Sequence, residues 1–244
     1  LKNGRRDLRD LRIVTIDSEE TKDVDDGVSI SMTDDGKYML GVHIADVAHY
    51  VKEGTELDLE AYRRGTSVYL VDKVLPMLPQ KLSNGICSLN VGENRFALSV
   101  MMKINKRGQV EEYDIFESLI CVEYKITYKQ ITALFDGDSE FYKQKDLQEQ
   151  FKEYLDDIEL MKKLAELRHA MRYQRGAIDF DFPETHVTTD LNGKPVSVEE
   201  RSVNFANNII EEFMLAANET IAEHFENLKV PFMYRVHGDP EPEK

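Results

Sequence analysis

Residues 15–28 read TIDSEETKDVDDGV: a strand-like run ends on Asp17, regular structure lapses, and Asp23, Asp25 and Asp26 follow before the chain turns apolar again at Val28. The alternation on either side predicts strands over about 11–16 and 27–33. The turn residues Asp34, Asp35 and Gly36 then lead into a strand over 38–44, so a hairpin hangs beside the aspartates. Four carboxylates in so short a stretch repel one another. At about 4 Å and an effective dielectric of 20, each like-charge pair costs on the order of 4 kcal/mol, which a hard divalent ion such as Mg²⁺ or Mn²⁺ relieves.

Working outward, the segment 75–90 (LPMLPQKLSNGICSLN) is rich in Pro, Ser, Asn and Gly and reads as a long ordered loop. ALSVMMKI (97–104), the turn at Arg107 and Gly108, and VEEYDIFES (110–118) form a second hairpin. Leu147, Phe151, Leu155, Ile158, Met161, Leu164, Leu167 and Met171 recur at spacings of three and four, predicting one amphipathic helix over 142–174 that ends near Gly176. Short strands are expected over 177–182 and 195–200, a helix over about 204–227, and a last strand, PFMYRV, over 231–236. Strands and helices interleave without strict βαβ order. The expected fold class is α+β, a mixed, mostly antiparallel sheet covered by helices.

With 244 residues, 41% of them hydrophobic, the chain can bury one large core. No apolar run approaches the ~20 residues that cross a bilayer and no signal segment opens the chain, so no membrane is involved and the cytoplasm is the expected compartment. Cys87 and Cys121 show neither metal spacing nor a redox pair and read as packed thiols. The opening Leu1 and the closing HGDPEPEK read as cuts from something longer. A net charge of −15 argues against a polyanionic partner, but only in part. Several of the negative charges sit where a cation would turn the local field positive, and many others fall on the solvated helix.

Three simpler explanations of the acidic ladder are a calcium loop, an ordinary acidic turn and a transferase metal site. A calcium loop counted from Asp23 would put its turn glycine at Val28 and its bidentate Glu at Asp34, so an EF-hand fails. An acidic turn is common in acidic proteins, though rarely in so tight a ladder after an apolar strand. A transferase with an Asp-x-Asp metal site would be expected to carry a nucleotide-binding glycine loop, and none is found.

TIDSEETKDVDDGV, GVHIADVAHYV (41–51), RRGTSVYL (63–70), LPMLPQKLSNGICSLN (75–90), KITYKQI (125–131), RGAIDF (175–180) and NIIEEFMLAAN (208–218) together resemble the catalytic RNB domain of the ribonuclease II and ribonuclease R family, nearer the ribonuclease R branch. The order and spacing match from about Arg5 to the end. The resemblance implies that residues 1–244 are the N-terminal and central part of one RNB-type catalytic domain. It further implies a processive 3′-to-5′ exoribonuclease that uses Mg²⁺ or Mn²⁺ to release nucleoside 5′-monophosphates from the 3′ ends of single-stranded RNA, with no obligate protein partner. By family position Asp17 and Asp26 would be metal ligands, Asp23 a ligand or close support, and Asp25 the acid on which turnover depends most.

Tyr69, Tyr128 and Phe180 stand at the family's aromatic positions, where bases stack at roughly 1–3 kcal/mol each. As one of 11 Phe in the chain, and in a strand beside Phe182, Phe180 reads equally as core. Glu211 occupies a family position near the terminal sugar; beside Glu212 it also reads as the polar face of a helix. His43, in an apolar strand, reads as a hydrogen-bonded core residue, His49 is left unassigned, and Asp46 reads as a cap or brace. A non-enzymatic relative that kept only the fold should have lost aspartates, and all four are present. An arginine-bearing segment that in the family contacts the scissile phosphate, and the flanking oligonucleotide-binding barrels, are not in these residues, so weak cleavage by the 244-residue chain alone is expected.

Overall fold

A computed structural model describes residues 4–71, 73–139, 141–178, 184–190, 194–201, 205–236 and 238. In chain order these form β1 (Arg6–Asp7), β2 (Val14–Asp17), β3 (Asp26–Met32), β4 (Tyr38–Ala45), the single turn α1 (Val47–Tyr50), α2 (Glu56–Arg64), β5 (Val68–Tyr69), β6 (Val74–Leu75) and a π-helical turn, Leu82–Ile86. There follow β7 (Asn94–Ile104), β8 (Val110–Cys121), β9 (Tyr124–Thr127), α3 (Tyr128–Asp136), α4 (Gln144–Gln150), α5 (Leu155–Gln174), β10 (Glu184–Thr189), β11 (Pro195–Arg201) and α6 (Phe205–Leu228).

Seven strands make one sheet in the order β1-β8-β7-β4-β3-β2-β9. The inner pairs are antiparallel, and only β1–β8 and β2–β9 are parallel. This is the mixed, mostly antiparallel sheet expected. Strand alternation divides its residues between two faces. Val14 and Ile16, Val28 and Ile30, Leu40 and Val42, Val100 and Met102 point into one core with Ile131, Phe151, Met161, Leu164, Ile209 and Phe213 from α3 to α6. Each such side chain, buried to a few per cent or less, contributes on the order of 1.5–3 kcal/mol before chain entropy is counted.

The second face is small and polar at its centre. His43, fully buried, contacts the hydroxyls of Ser29 (3.1 Å) and Ser99 (2.7 Å), and Ser99 meets Ser118 at 2.7 Å. Burial pushes the His43 imidazole down to about 4, so it is neutral, which is the core histidine read from the sequence. A Cβ on Gly41 would run into Ser29 Oγ, His43 Nε2 and Met101 Sδ, so this position admits only glycine. Beyond it, Ile13, Val24, Ala45, Leu89, Ala97, Ile120 and Val122 form a smaller apolar cluster. Both cysteines are free thiols. Among the described residues no helix is long and apolar enough to cross a membrane.

Two expectations need correction. The helix over 142–174 is two helices, because Phe151 leaves the helical track to bury completely against Tyr124, ring centroids 5.1 Å apart, before α5 begins at Leu155. PFMYRV is not a strand. Lys229, at φ 54°, ends α6, and the chain returns so that Phe232 stacks on Phe225 at 4.2 Å instead of pairing with the sheet. Of the strand placed over 177–182, residues 179–182 lie outside the described residues; β10 is described from Glu184. Two helices went unread. KITYKQI looks β-rich, yet Thr127 and Gln130 form a complete capping box that starts α3, and at α2 the Thr55 hydroxyl accepts from the Asp58 N–H.

Candidate active site

The acidic segment lies where β2 ends and β3 begins, at one end of two neighbouring strands near the β9 edge of the sheet. Asp17 is the last residue of β2 and Asp26 the first of β3, and the loop between them has no ladder of its own. Its backbone is held from outside instead. Lys125, on β9 beside β2, donates its ammonium to the Thr21 carbonyl at 2.8 Å and approaches that of Glu19 at 3.4 Å. Asp17 Oδ1 accepts from the Ser18 N–H (2.6 Å) and the Thr21 hydroxyl (2.9 Å), folding the loop back on the strand end. The Ala45 N–H donates to the Asp25 carbonyl at 2.8 Å, extending the β3–β4 ladder just past the strand.

Asp23 and Asp25 line a cleft of about 1070 Å³ shared with Lys22, Tyr69, Lys73, Gln80, Ser83, Asn84 and, from the separate β10–β11 hairpin, Thr185 and Val187. Asp26 is not among the lining residues, which agrees with the alternation that sends Asp23 and Asp25 one way and Asp26 the other. The carboxylates nevertheless feel one another. Burial raises the Asp26 carboxyl to about 6, with the charges of Asp25 and Asp17 adding to the shift. Burial also raises Asp25, with Asp23 and Asp17 contributing.

Asp26 Oδ2 is buried with no hydrogen-bond partner. A buried, unpaired carboxylate oxygen beside two further carboxylates is a costly arrangement that a hard cation would relieve. Among the described residues no three His, Cys, Asp or Glu side chains already stand as a coordination cluster. The donor chemistry fits Mg²⁺ or Mn²⁺, all-oxygen and anionic, and Asp17, Asp23, Asp25 and Asp26 are the residues that would hold it.

The aromatic residues separate. Tyr69, largely exposed on the β5–β6 hairpin, lines the same cleft, and its hydroxyl donates to Asp23 Oδ2 at 2.9 Å, so it stands at the acidic ladder. That bond is the largest reason its phenol is raised. Tyr128 is the first residue of α3, one position past the Asp17–Thr127 pair, and its partly buried ring packs on the main core. Phe180 lies outside the described residues. Glu211 is half-exposed and paired with Arg172 of α5 at 3.3 Å, while the neighbouring Glu212 is fully buried and takes Arg172 at 2.9 Å and His169 at 3.4 Å. The plain polar helix face is therefore half wrong, and Glu211 is absent from the described lining of the cleft. Asp46 caps α1 through the His49 N–H and accepts from Arg5.

Sequence reasoning missed the cleft's neutral and basic lining. Gln80, Ser83 and Asn84 were visible only as polar letters in a Pro-rich loop, and nothing marked Lys22 or Lys73.

The RNB domain family matches residues 5–244. The chain belongs to the RNB domain family. Within it, the sequence is 47% identical over 241 residues to ribonuclease R of Thermotoga maritima, covering 98% of this chain and 33% of that protein. It is 44% identical over 241 residues to ribonuclease R 1 of Lactococcus lactis, covering 99% of this chain and 29% of that protein. The solved structure of Mycoplasma genitalium RNase R in complex with ribose methylated single-stranded RNA superposes with a TM-score of 0.88 at 32% identity, over 99% of this chain and 36% of that chain. The chain thus spans about a third of the length of the relatives it matches. The RNB likeness and the α+β architecture are in accord with what the motifs implied.

Proposed function

We propose that this RNB chain carries the acidic centre of a divalent-metal-dependent 3′-to-5′ exoribonuclease that works from the 3′ ends of single-stranded RNA in the cytoplasm and releases nucleoside 5′-monophosphates. The observation that carries the reading is the coupling of Asp17, Asp25 and Asp26, with Asp26 Oδ2 left buried and unpaired, beside the cleft of about 1070 Å³ that Asp23 and Asp25 line. Such a cluster is stable in its charged form only with a cation. The RNB relatives are named ribonuclease R, and one of them is solved with single-stranded RNA, which supports the substrate class.

A bound Mg²⁺ or Mn²⁺ supplies positive charge at the scissile phosphate and acidifies the attacking water. The chain's residues do the rest. Asp17, Asp23, Asp25 and Asp26 hold the cation charge at the strand ends. The backbone grips of Lys125 on the loop keep Asp17 and Asp23 on a fixed frame. Tyr69, whose exposed ring lines the cleft, offers a face on which bases stack without a sequence requirement, and Tyr128, Phe180 and Glu211 are assigned with it to the bound RNA. Lys22 and Lys73, the basic lining, face the phosphates and offset part of the chain's negative charge.

The reading is tested by product analysis. A 5′-labelled single-stranded RNA incubated with the full-length protein and Mg²⁺ should shorten from its 3′ end and yield nucleoside 5′-monophosphates, identified by chromatography. Release of 3′-phosphorylated products, or internal cleavage, would rule this chemistry out.

A further inference from the structure

Asp23 sits in a loop with no ladder, next to charges that push it outward, yet the peptide groups on both sides of it are held by one side chain. Ser88 lies in the chain just before β7 and is fully buried. Its Oγ donates to the Lys22 carbonyl at 2.8 Å and accepts from the Val24 N–H at 3.2 Å. Asn90 Oδ1, at 3.3 Å, is a weaker second acceptor for the same proton. One hydroxyl thus brackets Asp23.

Ser88 is itself immobilised. Its carbonyl accepts from Arg95 Nε at 2.7 Å, and the same buried guanidinium reaches the Gly85 carbonyl at 3.1 Å and pairs with Glu93. The next residue, Leu89, donates its N–H to the Val24 carbonyl at 2.8 Å and packs in the smaller apolar cluster with Val24. Backbone at Asp23 is therefore tied to a packed, hydrogen-bonded element on the far side of the loop from Lys125. Metal sites depend on such supports, and loss of one costs typically 10–100-fold in metal affinity.

We propose that Ser88 is a positioning residue for the divalent-cation site: by bracketing Asp23 it sets where the Asp23 and Asp25 carboxylates stand, although it touches neither ion nor RNA. The proposal rests on the metal-dependent reading above and adds to it a residue outside the acidic loop.

The test compares wild type, Ser88→Ala and Ser88→Cys in the full-length protein, by Mn²⁺ titration followed by electron paramagnetic resonance, single-stranded RNA binding in EDTA, and thermal unfolding. Ser88→Ala should bind Mn²⁺ about 10–100-fold more weakly. Ser88→Cys, with a weaker donor and acceptor of similar size, should fall between. RNA affinity in EDTA should stay within about twofold, since Ser88 does not line the cleft and holds neither Tyr69 nor Lys73. A folded Ser88→Ala that binds Mn²⁺ as wild type does overturns this proposal alone. Loss of the fold in both variants overturns it too, since Ser88 would then be a purely structural residue. Wild type that binds no Mn²⁺ overturns the metal-dependent reading, and this proposal with it.

Discussion

The Tyr69 hydroxyl donates to Asp23 Oδ2 at 2.9 Å, joining the exposed β5–β6 hairpin to the acidic loop across the cleft that both line. One residue therefore offers two separable things, a ring face and a hydrogen bond to a carboxylate.

Substitution separates them. Tyr69→Phe keeps the ring and should leave single-stranded RNA affinity in EDTA within about twofold, while Tyr69→Ala removes a stacking platform worth roughly 1–3 kcal/mol and should weaken binding about tenfold. Fluorescence anisotropy with a labelled oligonucleotide reads the difference. Equal losses in the two variants would mean that the hydroxyl, not the ring, makes the contact.

Asp26 sets a pH dependence on the metal-free protein. Its folded value of about 6 stands above the unfolded value near 4, so between those values the folded state binds more protons. This group's penalty is therefore full above about pH 6 and is relieved as pH falls toward 4, on the order of 3 kcal/mol. Asp26→Asn removes the buried charge, so in EDTA it should melt higher than wild type at pH 7.5, with the gap closing near pH 4.5, while RNA cleavage falls. A variant less stable than wild type at pH 7.5 would mean that Asp26 is not strained in the free protein.

His43 acts in the opposite sense. Its folded value of about 4 lies below the unfolded value near 6.5, so the unfolded state binds more protons and stability drains away as pH falls from about 6.5 to 4. The full effect is on the order of 3 kcal/mol. Chemical denaturation of His43→Gln across this range should show a flatter pH dependence than wild type. An unchanged slope would put the acid sensitivity elsewhere.

The parts of the fold that were legible in the sequence are those governed by short-range pattern. Alternation in 27–44 and 97–118 marked the two hairpins that make the centre of the sheet, and spacing four in 205–225 marked α6. What was not legible depends on contacts far along the chain. Nothing local says that Phe151 will pack on Tyr124 and break a helix, or that Phe232 will return to Phe225 and leave PFMYRV unpaired. In the site, the acidic ladder was visible because its chemistry is written in residue type, while Tyr69 was singled out only by its place in the RNB-like stretch RRGTSVYL. Ser88, Lys125 and Arg95 were not, because each acts on the backbone of a segment that only the fold brings near. Glu212 misled for the same reason: its partner, Arg172, lies on another helix.

The most direct measurement is a Mg²⁺ and Mn²⁺ titration of single-stranded RNA trimming by wild type and Asp25→Asn in the full-length protein. The account expects 3′-end shortening that rises with divalent ion and vanishes in EDTA. Asp25→Asn should fold as wild type does and be slower by at least about a hundredfold at saturating ion. Trimming that persists in EDTA, or an Asp25→Asn protein as fast as wild type, would contradict it.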